Sequence, residues 1–147
     1  FMSKAESAEL ILKLYDLRRE ATMREARNWM LTFFPESAQD VMQAIMNPET
    51  SAYYRMVVSY WNMAAAFVNH GAIDAEMFEE TNGEHFVIFS KIEPFLPELR
   101  EMTGNPKMLS NLETLVMRSA DAKEQLAKTR ETMKRVMEMR AQMAQGK

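Results

Sequence analysis

Apolar residues recur along this chain three and four positions apart, the period of an α-helix. The densest run is Tyr53–His70, YYRMVVSYWNMAAAFVNH, apolar on nearly every side. A helix without a polar face must be enclosed by other elements, so this run predicts a central helix. Ahead of it, Ser3-Lys4-Ala5-Glu6 has capping-box spacing, and a helix is expected from there to Pro35. Leu10, Leu14, Leu17 and Ala21 share one face, and Ala26, Met30 and Phe33 continue the stripe. Pro35 ends that helix. A short one over Glu36–Met46 follows, with Val41, Met42, Ile45 and Met46 as its buried side. Asn47 suits the N-cap of the central helix and Pro48 its first position.

His70-Gly71 closes the central helix, glycine being the usual residue of a left-handed C-terminal cap. Asp74 reads as the next N-cap, with Ile73 and Phe78 at hydrophobic-staple spacing. Asn82-Gly83 marks a turn. Phe86, Phe89, Ile92, Phe95, Leu96 and Leu99 then form a helical stripe broken by Pro94 and Pro97, which predicts a kinked helix or two abutting ones. A strand over Phe86–Phe89 would rest on a single apolar quartet without a partner.

From Met108 the spacing becomes regular: Met108, Leu112, Leu115, Ser119, Ala122, Leu126, Thr129, Met133, Val136, Arg140 and Met143 alternate steps of four and three, as in a helix seam. A continuous helix from Lys107 to Ala144 would run about 55 Å at 1.5 Å per residue. A compact domain of this size spans only about 35–40 Å. Such a helix must fray, pack on a neighbour or pair with a copy of itself; the other solution is a break near Ser119–Asp121 that folds the two pieces back onto the domain. Leu126, Met133, Val136 and Met143 are the candidate interaction residues. Ser119, Thr129 and Arg140 interrupt the seam, and its methionines suit an adaptable contact more than a strong zipper.

The expected architecture is therefore a single all-α domain, a bundle of five or six helices: a helical core over 1–106 and a long amphipathic C-terminal helix over 107–147. Composition agrees, with 47% hydrophobic and 27% charged residues but only 4 glycines and 5 prolines. Met2, after Phe1, reads as the native start. With neither a signal peptide nor an apolar run near the roughly 20 residues of a membrane span, the expectation is a cytoplasmic protein. Charge is uneven. Residues 1–102 carry 9 Lys/Arg and 16 Asp/Glu (−7), whereas residues 103–147 carry 9 and 5 (+4). The two parts can attract each other within a chain or between chains, although a mildly basic solvated helix is the plainer reading.

Candidate chemistry is sparse. There is no cysteine, and His70 and His85 are the only imidazoles. Asn82 and Phe67 stand three before them where Glu-x-x-His metal motifs need glutamate. The four glycines are too scattered for a phosphate-cradling loop. His70, Asp74, Glu76, Glu79, Glu80, Glu84 and His85 form a polar cluster, but acidic residues near Asp74 also suit a helix N-terminus. No metal, cofactor or enzymatic activity is expected. Nor is nucleic-acid binding: Lys123, Lys128, Arg130, Lys134, Arg135 and Arg140 alternate with Glu124, Glu131 and Glu138, with no aromatics for base stacking. A small-ligand pocket or an unrecognised enzyme site would draw on Tyr53, Tyr54, Tyr60 and Trp61, with Arg18 or Arg24 from the arginine-rich first helix. Core packing and local ion pairs such as Glu20–Arg24 are the competing use of these side chains.

The segments Tyr60–Asp74, Phe78, Asn82-Gly83 and Lys91-Ile92-Glu93-Pro94-Phe95 resemble a bacterial all-helical domain family of unknown function. Many of its members carry an N-terminal membrane helix, which is not read here. The resemblance covers about 45 residues and implies an all-helical fold, no established enzymatic activity and no catalytic residue to carry over. The functional expectation is a non-catalytic interaction or scaffold module that forms a homodimer, or docks a protein partner, through its C-terminal helix.

Overall fold

The computed structural model describes residues 3–146; the reading of Met2 as the native start lies outside them. Every regular element among the described residues is helical. Ser3 opens α1 (Lys4–Leu17) with the capping box: its hydroxyl accepts from the Glu6 amide, whose carboxylate accepts from the Ser3 amide. The expected helix to Pro35 is broken at Arg18–Glu20, and α2 (Ala21–Thr32) begins afresh. Glu20 is the reason. Its carboxylate accepts from the Thr22 and Met23 amides at 3.0 and 2.9 Å, capping the new helix rather than pairing with Arg24. Those two bonds hold the exposed carboxyl below its ordinary pKa.

Ser37 caps α3 (Ala38–Met46), which buries Ala38, Val41 and Ala44; Met42 and Ile45 are half-buried and Met46 is exposed. Asn47 does not cap the central helix. Its side chain accepts from the Glu49 amide in a turn, and α4 (Ser51–Asn69) starts after Thr50. Asn and Pro favour tight turns as readily as helix starts, and here the turn prevails.

α4 packs against α2, α3, α5 (Ala75–Thr81) and α8 (Ser110–Val116), and Val57, Trp61, Ala64 and Ala65 are wholly buried. Its alanines admit close neighbours where larger side chains would hold them off. Gly71, at φ +80°, supplies the left-handed residue that ends α4. Asp74 caps α5 (Ala75–Thr81) through the Met77 amide, and Ile73 and Phe78 are both buried, as staple spacing predicts.

The proline-interrupted stripe forms α6 (Glu84–Ile92), a 3-10 turn at Glu93–Phe95 and α7 (Leu96–Thr103), two abutting helices joined by the turn at Pro94. After Gly104, the seam begins as α8 (Ser110–Val116) and resumes as α9 (Ala122–Gln145). The continuous helix expected over 107–147 is therefore not formed; the chain takes the other solution, a break, which falls at residues 117–121. It allows Leu112, Leu115, Ala122 and Leu126 all to reach the core. The helices outnumber the five or six expected because polar caps at Glu20 and the turn after Val116 divide apolar stripes that hydrophobic spacing alone joins.

Candidate functional site

The arginine-rich start of the chain closes on an internal anion. Glu84, at the first position of α6, accepts from Arg27 Nε and Nη2 at 2.9 Å each and from Trp61 Nε1 at 3.0 Å. Arg27 also donates to the Arg18 carbonyl, and Arg18 donates to Asn82 while its guanidinium lies 5.5 Å from the Trp61 ring. Hydrogen bonding to Glu84 raises the Arg27 pKa, opposed by its partial burial. This network joins α2, α4 and α6 beneath the α1–α2 break. The fork of Arg27 matches the carboxylate in two parallel bonds, the strongest geometry of such pairs.

Arg18 and Trp61 therefore stand together, as do Trp61 and Tyr60, whose rings meet edge to face at 4.8 Å. The Tyr60 hydroxyl donates to the Leu14 carbonyl, tying α4 to α1. Burial pushes Tyr54 and Tyr60 up to about 12. Tyr53 is half-buried and donates to Glu25, and Arg24 is exposed. The structure does not gather these six residues around one cavity: Tyr54, Tyr60 and Trp61 pack inward, and Arg18 turns to Asn82 and Trp61.

Among the described residues the polar cluster around His70 and His85 contains no group of three side chains placed to hold a metal. His85 is 5% exposed between Trp61 and Phe78, and its Nδ1 has no hydrogen-bond partner. Burial lowers its pKa to about 4, with Glu84 opposing, so the imidazole is neutral at physiological pH. It lines a cleft of about 480 Å³ with Phe86, Leu115 and Val116, which the Glu79–Arg118 ion pair also borders.

α9 divides into two halves. Ala122 and Leu126 are buried against the body, where Arg130 donates to the Ser90 carbonyl at 2.8 Å and approaches Glu93 at 4.0 Å. Leu126 is thus a core residue rather than a free contact. Thr129 and Met133 are half-buried; beyond them Val136, Met139 and Met143 are 37%, 60% and 71% exposed. Apolar residues continue along the helix after the domain surface has ended.

Between the first half of α9 and α6 lies a cleft of about 410 Å³. Lys91 is in its lining, 4% exposed, and donates to the Leu31 and Phe33 carbonyls at 3.2 and 2.8 Å. Burial lowers its pKa to about 8. Hydrophobic spacing does not single this lysine out as a site residue. Val87 and Ile88 one turn before it and Ile92 beside it are apolar, which points to burial but not to the missing counter-charge.

The chain belongs to a family described as a domain of unknown function (DUF4760), whose pattern matches residues 4–119. The match runs from α1 through α8 and stops before α9. No curated protein and no solved structure matches the chain.

Proposed function

We propose that this member of the DUF4760 family is a non-catalytic interaction module that self-associates through the second half of α9. The observation that carries the reading is the exposure of Val136, Met139 and Met143 on a helix whose first half is anchored in the core. Methionines suit a surface that must adapt to its partner. Charge favours the body of a second copy over a second arm. Lys134, Arg135 and Arg140 outnumber Glu138 on the arm, so two arms repel, whereas residues 1–102 of the neighbour carry −7. The exposed Glu76 and Glu80 on α5 are suitable counter-charges.

Sedimentation tests this directly. Deleting residues 120–147 would also remove Ala122 and Leu126 from the core, so the informative truncation removes residues 134–147. The full chain is expected to associate as concentration rises, and the truncated chain to stay monomeric with unchanged helicity. Association should also weaken as salt rises toward about 1 M, where the Debye length falls to about 3 Å. A full chain that remains monomeric throughout, or a truncation that associates equally well, overturns the reading.

A further inference from the structure

Lys91 poses an electrostatic problem that the fold leaves open. Its ammonium is buried, yet among the described residues no carboxylate lies within 4.0 Å of it. Buried charges are ordinarily paired, because neutral dipoles recover only part of the hydration that is lost on removal from water. Two of the three ammonium donors go to the Leu31 and Phe33 carbonyls, and the Phe34 ring lies 3.8 Å from the nitrogen at its centroid. These contacts solvate the cation without neutralising it.

The surroundings are unlike those of a lysine that merely caps the C-terminal end of α2. The cleft bordering Lys91 has apolar walls from Phe34, Pro94, Phe95 and Met133, and its volume of about 410 Å³ falls within the range of small-molecule sites. Arg130 and Lys134, one helical turn apart on α9, bring two further cations to its lining. Glu36 and Glu131 also border it, but both are exposed to solvent, where their fields are screened. Glu93 reaches Arg130 only at 4.0 Å. The charge that water cannot screen is that of Lys91.

We propose that the α6–α9 cleft is a binding site for a small monocarboxylate with an apolar body, its headgroup held by Lys91 and Arg130 and its body lying against Phe34, Phe95 and Met133. A single negative charge would neutralise Lys91, and the apolar walls would take the rest of the ligand out of water. This site is separate from the aromatic and arginine residues of α1, α2 and α4 and, Lys134 at its rim apart, from the exposed half of α9 beyond Met133.

Calorimetric titration of the full chain with octanoate, and with 1-octanol as the uncharged comparison, tests the assignment. Octanoate is expected to bind saturably and at least about tenfold more tightly than octanol, a difference of about 1.4 kcal/mol. Lys91→Met, which keeps the length of the stem, should abolish that preference while octanol binding persists. A second readout needs no variant: between about pH 7 and about pH 9.5 the ammonium loses its proton, so octanoate affinity should fall about tenfold while octanol affinity stays level. Equal affinity for the two probes, no saturable binding of octanoate, an unchanged preference in Lys91→Met or a pH-independent octanoate affinity would each overturn the assignment.

Discussion

Glu84 shows how much one side chain can decide. Its carboxylate accepts from Arg27 and Trp61 together and so ties α2, α4 and α6 at a single point. Glu84→Gln keeps the shape but leaves the half-buried Arg27 without its counter-charge. The expected loss is about 2–3 kcal/mol, read as a lower urea midpoint with an unchanged m-value. His85 beside it responds to acid. Its folded pKa of about 4 lies below the ordinary 6.5, so the unfolded chain binds more protons between those values. Stability from the buried neutral imidazole is complete above pH 6.5 and is lost as pH falls toward 4. Over that interval the wild type should lose on the order of 3 kcal/mol more than His85→Phe, measured by urea unfolding at each pH. Equal losses in the two proteins would remove the role given to His85. Neither residue's part was legible in the sequence. Glu84 read as one of many acidic residues around a turn, because its partners lie 57 and 23 positions away and only the tertiary fold brings them to it.

At the scale of the element, local signals succeeded where the physics is local. The Ser3–Glu6 box, the left-handed Gly71 and the Asp74 cap each satisfy backbone groups within a few residues, and each stands where its sequence places it. Expectations failed where two local solutions compete: Glu20 could pair with Arg24 or cap α2, and Asn47-Pro48 could start a helix or a turn. α9 is the sharpest case. Leu126 and Met143 both lie on the apolar seam, yet one is fully buried and the other 71% exposed. Leu126→Ala should cost about 2–5 kcal/mol of stability, whereas Met143→Ala should stay within about 0.5 kcal/mol in thermal unfolding of dilute protein. A similar cost for both would mean that the arm packs on its own domain.

At the scale of the whole molecule, the acidic body and basic arm meet only in part. Arg118 pairs with Glu79 and Arg130 approaches Glu93, while Lys134 at the cleft rim and Arg135 and Arg140 beyond it have no ion-pair partners among the described residues. The salt-sensitive association proposed above is the consequence expected at this scale. The sequence by itself determined the all-helical class, the central position of the Tyr53–His70 run and most helix ends, because helical period, caps and prolines act over one or two turns. The tertiary structure alone decided which arginine meets Glu84, that Lys91 is buried without a counter-charge, and where along α9 the core stops. Those outcomes depend on which surfaces face each other across the fold, and a repeating pattern along one helix carries no information about where its partner ends.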